Sequence, residues 1–254
     1  SLQEAGHLQP CHQRRFRHNA IPRLAGLMAT GQGLVVSEGV FSMDGDQAPC
    51  AGLQALARQS KNWWMLDDAH GLGVHGTNGR GTLAYQGVGS EQPDVLMATF
   101  GKALGTAGAF VAGRRELIDY LVNFSRDYVY STHMPPAQAV ATLAAVRWVQ
   151  SADEPRAQLQ AAVRRFRQGA HTLGLPLLPS ETAIQPLLVG DSLQAMTLAD
   201  AMRARGFWIS AMRPPTVPKG EARLRITLTA AHDEQQVDAM LQALVQEWSR
   251  CVHD

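Results

Sequence analysis

The feature of this sequence that most restricts its fold is a series of short apolar runs in the first half of the chain. The runs lie at 33–39, 62–68, 93–101 and 108–113, and residues 52–60 between the first two have helical spacing. Runs of this length that are apolar throughout, rather than alternating, are typical of strands buried on both faces of a parallel sheet. We therefore predict an α/β fold for this half, with a mostly parallel sheet flanked by helices.

The pattern changes in the middle of the chain. The alanine-rich segment 134–150, with Pro135 and Pro136 suited to a first helical turn, predicts a long and largely buried helix. After it, amphipathic helices and short strand patterns indicate a small α+β domain. These patterns lie at 159–173, 183–190, 191–206, 207–212, 222–228 and 237–248. We predict part of a large domain over 1–149 and a small C-terminal α+β domain over 150–254.

Composition and charge exclude several classes of function. The formal net charge is +1 and the basic residues are scattered, so no surface for nucleic acid or an anionic membrane is indicated. Cys11, Cys50 and Cys251 are far apart and lack CxxC spacing, so neither a disulfide framework nor a zinc site is predicted. No apolar run is long enough to span a bilayer and no signal-peptide pattern is visible, so we expect a cytoplasmic protein.

Polar side chains follow three of the predicted strands. They are Glu38 and Ser42 after the first strand, Asp67 and His70 after the second, and Lys102 after the third. In open α/β sheets, ligands bind beyond the carboxyl ends of the strands. We therefore expect these side chains to contribute to one site.

Each of the three stretches also has a simpler interpretation. The first can be an ordinary loop, and Lys102 can be a surface residue. The second can be a capped strand end, or the metal-binding cluster of a metal-dependent hydrolase that would use Asp67, Asp68, His70 and His75. No single stretch decides between these alternatives.

Together, the three stretches match the requirements of pyridoxal 5′-phosphate (PLP). A carboxylate beside the pyridinium nitrogen keeps that nitrogen protonated, so that the ring accepts electrons, and Asp67 would have this role. A lysine with a lowered pKa binds a carbonyl cofactor covalently. Lys102 would have this role, since the glycines around it permit the close approach of a cofactor. His70 is positioned in the sequence to contact the phenolic oxygen of the ring.

Four motifs carry a resemblance to a known family. In order and spacing, the signatures of the α-oxoamine synthases are similar to SEGVFSMDGD (37–46), DDAHGLGVHG (67–76), TFGKALGTAG (99–108) and YSTHMPPAQA (130–139). The resemblance covers essentially the whole chain and implies the PLP-dependent transferase fold type I. Members of that family join an amino acid to an acyl thioester with loss of CO₂.

The C-terminal part of the sequence indicates which members of the family this chain resembles most. The stretches 183–191 and 213–232 are most similar to members that act in biotin biosynthesis. This implies L-alanine and a pimeloyl thioester as substrates, the latter as pimeloyl-CoA or pimeloyl-acyl-carrier protein. A sister synthase such as glycine C-acetyltransferase is the alternative within the family, and a non-catalytic fragment is an alternative outside it.

The resemblance also implies roles for individual residues. Lys102 would hold PLP covalently and later move the α-proton of the substrate, and Asp67 would pair with the ring nitrogen. His70 and Ser42 would contact the region of the phenolic oxygen. Thr99 would bind the phosphate of the cofactor.

Substrate and subunit contacts are implied further along the chain. Arg213 would bind a substrate or product carboxylate, for which a planar guanidinium is suited, and Thr216 would line the same region. Tyr130 to Thr132 would reach the phosphate in the partner subunit of a homodimer. The family pattern also has a further N-terminal part, with a glycine-rich stretch near the phosphate and a histidine that stacks on the ring. Because no histidine of this sequence stands in that motif, we expect a chain of this extent to bind PLP weakly.

Overall fold

A computed structural model describes residues 2–8, 10–29, 31–88 and 93–252 of the 254-residue chain. These residues form two compact units. The first unit contains the described residues up to Gly39 together with Ala48–Ser151. The second contains Val40–Gln47 together with the described residues from Ala152 onward.

The first unit is built on a four-stranded sheet with the order β1-β2-β3-β4. Its strands are β1 (Leu34–Glu38), β2 (Trp63–Asp67), β3 (Val95–Thr99) and β4 (Ala109–Gly113). The first three strands are parallel, and their register pairs Glu38 with Asp67 and Asp67 with Met97. The prediction of a mostly parallel sheet is confirmed, and the carboxyl ends of β1, β2 and β3 lie at one edge of it.

Helices surround this sheet. In the described part of the first unit they are α1 (Leu2–His7), α2 (Ile21–Met28), α3 (Cys50–Gln59), α4 (Thr82–Tyr85), α5 (Arg115–Phe124), α6 (Arg126–Tyr130) and α7 (Pro136–Gln150). Helix α3 lies between the parallel neighbours β1 and β2, as a crossover connection requires. It buries Leu53 and Ala57, and Trp64 and Leu66 of β2 are also buried in the core.

Strand β4 departs from the predicted burial and direction. It is antiparallel to β3 and pairs Ala109 with Thr99. Residues 100–108 alone connect the two strands, and a parallel crossover needs about a dozen residues or more. Its side chains are half-buried or exposed, with Val111 41% exposed. The prediction of burial on both faces is therefore wrong for this strand, which forms one edge of the described sheet.

Helix α7 is less buried than its alanine-rich sequence predicts. In the described structure its buried side chains are Thr142 and Val149, whereas Val140 and Trp148 are 68% and 59% exposed. The helix packs on the short 3-10 turn at 77–79. This contact covers one side of the helix and leaves apolar side chains on its other sides uncovered. The prediction of a largely buried helix is therefore wrong for the residues described.

The second unit is an antiparallel sheet packed against helices, with the strand order β5-β7-β6. The strands are β5 (Ile184–Gly190), β6 (Ser210–Met212) and β7 (Ala222–Thr227), and the helices are α8 (Asp153–Thr172), α9 (Ser192–Ala204) and α10 (Glu234–Cys251). Its core contains the fully buried side chains of Phe166, Leu187, Leu198, Leu224 and Leu244. The predicted α+β character of the C-terminal part is confirmed.

The segment 40–47 packs with the second unit, although it lies between β1 and α3 in the sequence. The carbonyl oxygen of Gly45 accepts hydrogen bonds from Ser180 Oγ (2.9 Å) and Thr182 Oγ1 (2.8 Å). The Asp44 carboxylate forms an ion pair with the buried Arg223 at 2.6 Å. The sequence pattern gives no sign of this association, because Ser180 lies 135 residues beyond Gly45.

Among the helices that the structure describes, none has both the length and the apolar character needed to cross a membrane.

Candidate active site

Lys102 and His70 meet at the carboxyl edge of the first sheet. Lys102 lies in the loop after β3 and His70 in the turn after β2, and their Nζ and Nε2 atoms are 2.8 Å apart. The Lys102 side chain is exposed and His70 is half-buried, so a ligand can reach both. At this distance one nitrogen donates and the other accepts, which requires that at least one of the two groups has a free lone pair. The structure thus brings together two residues that the sequence predicts for one site.

Asp67 is the last residue of β2, next to the turn that carries His70. Asp67 is 9% exposed, and its Oδ1 atom accepts a hydrogen bond from the Ala69 N–H at 3.0 Å. The Asp67 carbonyl also accepts from Gly39 N–H at 2.7 Å, so the strand end is fixed from the β1 side. The carboxylate is thus held by the Ala69 N–H, and the backbone at the strand end is held by Gly39.

The loop that carries Lys102 is closed by the ends of β3 and β4. Thr99 Oγ1 donates to the Gly108 carbonyl (3.0 Å) and accepts from Gly101 N–H (3.2 Å). The Lys102 carbonyl accepts from Gly105 N–H at 3.0 Å. Gly108 has a φ of 101°, a backbone conformation that residues with a side chain rarely adopt, so glycine is favoured at this position. The predicted phosphate-binding hydroxyl of Thr99 therefore lies in the same tight loop as Lys102.

His75 is a buried histidine near the same turn. It is 2% exposed, its ring lies 5.1 Å from that of Tyr85, and within the described part of the chain neither ring nitrogen has a hydrogen-bond partner. Burial lowers the pKa of His75 to about 4. The imidazole is therefore neutral at physiological pH.

The metal-binding alternative receives no support from the geometry. In the described chain, the predicted ligands are not among the groups whose donor atoms lie within 4.8 Å of one another. Both carboxylate oxygens of Asp68 accept hydrogen bonds from Thr82, and His75 packs against Tyr85. These side chains are used inside the protein rather than directed to a common point.

The other predicted site residues lie in the second unit. Arg213 and Thr216 share the exposed turn between β6 and β7, where the Thr216 N–H donates to the Arg213 carbonyl at 3.0 Å. Ser42 is half-buried in the turn of segment 40–47. The roles of these three residues toward a cofactor or substrate remain predictions.

The structure also shows a contact that the sequence analysis did not find. The sequence indicates Asp68 only as a candidate metal ligand, yet its side chain is buried and hydrogen-bonded to Thr82. A possible signal was the pair of adjacent aspartates after an apolar strand, since a second buried carboxylate needs partners of its own.

Comparisons with known proteins identify the family of this chain. A family model described as aminotransferase class I and II matches residues 8–244. The 8-amino-7-oxononanoate synthase of Aeromonas salmonicida is 60% identical over 244 residues, which cover 96% of this chain and 61% of that protein. This chain therefore spans about three fifths of the length of that curated relative.

Two solved structures are similar over nearly the whole chain. Serine palmitoyltransferase from S. paucimobilis with a bound PLP–myriocin aldimine has a TM-score of 0.93 at 28% identity, covering 98% of this chain and 64% of that one. The 8-amino-7-oxononanoate synthase of Francisella tularensis has a TM-score of 0.87 at 25% identity, covering 98% and 72%.

Proposed function

This chain belongs to the aminotransferase class I and II family, and from that membership we propose that it acts in a PLP-dependent 8-amino-7-oxononanoate synthase of biotin biosynthesis. The reaction joins L-alanine to a pimeloyl thioester. A bond forms between the alanine Cα and the thioester carbonyl carbon, the C–S bond breaks to release the thiol of the carrier, and the alanine carboxylate leaves as CO₂ and is replaced by a proton at Cα. The observation that carries the proposal is the contact of Lys102 with His70 beside Asp67, in a chain 60% identical to such a synthase.

The groups at the sheet edge fit PLP chemically. An amine and an imidazole lie 2.8 Å apart, and a buried carboxylate ends the strand next to them. When bound, PLP supplies an electron sink for the substrate carbanion. Lys102 would hold it covalently through Nζ, Asp67 would face the ring nitrogen, and Thr99 would bind the phosphate.

Each of these side chains has a task that follows from its chemistry. Lys102 Nζ removes the α-proton of the substrate as an uncharged amine and returns a proton as an ammonium group. His70 Nε2 keeps the lysine amine in place through their hydrogen bond. Asp67 would face the ring nitrogen of PLP, and a carboxylate in that position favours the protonated form of the nitrogen, because opposite charges in contact stabilise one another.

We propose that residues of the second unit contribute to substrate recognition. Arg213 carries an exposed guanidinium, which suits bidentate binding of a carboxylate, and Thr216 lies on the same turn. Ser42 is proposed to contact the phenolic oxygen of the cofactor. The acyl carrier is either CoA or acyl-carrier protein.

We further propose that the protein acts as a homodimer with shared active sites. Helices α5 and α6 expose four aromatic side chains, each more than 60% exposed: Tyr120, Phe124, Tyr128 and Tyr130. Apolar surface of this extent commonly marks an interface. Tyr130 to Thr132 would then reach the cofactor phosphate of the partner subunit.

The proposed reaction is tested by product analysis. Purified protein supplied with PLP is incubated with L-alanine and pimeloyl-CoA, or with glycine and acetyl-CoA, and products are identified by mass spectrometry. We expect 8-amino-7-oxononanoate from the first pair, and a loss of at least about a hundredfold in rate for Lys102→Ala. Lys61→Ala is the control, because Lys61 is an exposed lysine at the far end of β2. A faster reaction with glycine and acetyl-CoA would favour the sister synthase.

A further inference from the structure

Asp68 is a buried carboxylate directly after the last residue of β2. It is 3% exposed, and Thr82, at the start of α4, is completely buried beside it. Asp68 Oδ1 accepts a hydrogen bond from Thr82 Oγ1 at 2.5 Å, and Oδ2 accepts one from Thr82 N–H at 2.9 Å. The carboxylate therefore receives two hydrogen bonds from one residue, which compensate part of the cost of burying it.

Three glycines surround this carboxylate. A Cβ would lie 2.5 Å from Asp68 Oδ1 at Gly39, 2.1 Å from it at Gly71, and 2.0 Å from Oδ2 at Gly81. Each distance is far shorter than a carbon–oxygen contact allows, so no larger residue fits at these positions without displacement. The three segments that carry the glycines are thereby packed directly on the Asp68 side chain.

The backbone of Asp68 closes the turn that carries His70. Its N–H donates to the Met97 carbonyl of β3 at 2.8 Å, and its carbonyl accepts from Gly71 N–H (3.1 Å) and Leu72 N–H (3.0 Å). The Asp68 side chain thus anchors the start of the turn to Thr82, and the Asp68 backbone holds the residues of the turn that follow. Asp67 precedes this anchor by one residue and His70 follows it by two.

We propose that Asp68 is the positioning residue of the site, which directs Asp67 toward the cofactor nitrogen and holds His70 against Lys102. This inference rests on the proposed function, because it takes the roles of Asp67, His70 and Lys102 from it. Asp68 acts only through these neighbours, since its own oxygens are engaged by Thr82. The two adjacent aspartates thus have different tasks, one facing the ligand and one fixing the turn.

The pKa of the Asp68 carboxyl group reflects its burial beside Asp67 and Thr82. Burial raises the pKa of Asp68 to about 6, the hydrogen bonds from Thr82 oppose that change, and the charge of Asp67 adds to it. Asp68 therefore gains a proton as the pH falls through about 6. Protonation leaves Thr82 with a neutral acceptor, so its two hydrogen bonds to Asp68 lose their charge-assisted character.

The test uses Thr82→Val, which removes the hydroxyl with little change of shape, and Thr82→Ser, which retains it. The first readout is the imidazole titration of His70 by NMR in protein without PLP. The second is the PLP affinity from the absorbance of the bound cofactor. We expect Thr82→Val to move the His70 titration and to weaken PLP binding about tenfold, in line with the loss of one hydrogen bond to a charged group. Thr82→Ser should restore both values.

Two further variants keep the test decisive. Asp68→Asn retains the shape of the side chain if the valine variant does not fold, and it should change the same two readouts. Thr172→Val removes a threonine hydroxyl that donates to a helix carbonyl in the second unit, and it should change neither. An unchanged His70 titration and PLP affinity in both Thr82→Val and Asp68→Asn would overturn the proposal for Asp68.

A separate labelling experiment distinguishes failure of the positioning role of Asp68 from failure of the proposed function. Borohydride reduction fixes PLP to the lysine that holds it. If the parent protein is labelled at Lys102 while the Asp68 and Thr82 variants behave as the parent, the positioning role alone is rejected. If Lys102 is not labelled, the proposed function is rejected, and the His70 titration still reports whether Asp68 positions His70.

Discussion

His75 is the residue whose burial has the clearest consequence for stability. Its pKa is lowered from 6.5 to about 4, so the unfolded chain takes up this proton before the folded protein does. The stability contributed by neutral His75 is therefore complete above pH 6.5 and is lost as the pH falls toward 4. At about 1.4 kcal/mol per pH unit, the loss is about 3 kcal/mol.

We predict that His75→Phe removes this part of the acid sensitivity. The difference in unfolding free energy between variant and parent should shift in favour of the variant by about 3 kcal/mol from pH 7 to pH 4, as measured by denaturant unfolding. Asp68 has the opposite effect, since its raised pKa adds stability to the folded protein as the pH falls through about 6. Because Asp68 is present in both proteins, its contribution cancels in the difference between their unfolding free energies. His171→Phe, at an exposed position, is the control. A constant difference across this range would contradict the account.

At the scale of residues, sequence predicts the site where side chains follow strands. Lys102 and His70 could be placed together because parallel strands end at one edge of a sheet, and the structure brings them within 2.8 Å. The role of Asp68 could not be predicted. It depends on the close packing of three glycines on the Asp68 carboxylate, whose oxygens lie where side chains at those glycine positions would begin. A sequence shows the glycines but not the group that fills the space beside them.

At the scale of elements, the start of α10 illustrates a local signal with a measurable effect. The Asp233 side chain accepts from Gln236 N–H at 2.8 Å, and the Gln236 side chain accepts from Asp233 N–H at 3.0 Å. This capping box satisfies two N–H groups that have no partner inside the helix. We predict that Asp233→Ala lowers the free energy of unfolding by about 1 kcal/mol, measured in urea. Glu181→Ala, at an exposed loop position, should leave it within about 0.5 kcal/mol of the parent.

Helices and strands could be predicted from periodicity, but their surroundings could not. The apolar run at 108–113 is a strand, yet its antiparallel direction follows from the short connection at 100–108. The apolar composition of α7 indicates burial, but its sequence does not say which surface covers it, and Trp148 is 59% exposed. The packing of segment 40–47 on the second unit depends on partners far along the chain and leaves no periodic trace.

At the scale of the whole molecule, the exposed aromatic side chains of α5 and α6 lead to a prediction about assembly. If this surface forms the proposed homodimer interface, Phe124→Asp should shift the protein toward monomer, because burying an unpaired carboxylate costs several kcal/mol. Phe124 is 66% exposed, so the monomer itself should remain folded. Light scattering after size exclusion measures the mass. Trp208→Asp, at an 82% exposed site of the second unit, is the control. A Phe124→Asp protein that remains dimeric would place the interface elsewhere.

The proposed role of Lys102 is tested by the covalent attachment of PLP to its Nζ atom. The protein is incubated with PLP, reduced with borohydride, digested, and mapped by mass spectrometry. The three lysines of the chain, Lys61, Lys102 and Lys219, fall in different segments and are distinguished by their peptides. We expect modification at Lys102, its loss in Lys102→Ala, and a weaker yield in His70→Ala, since His70 holds the amine in place. Modification confined to Lys61 or Lys219, or equal labelling of Lys102→Ala, would contradict it.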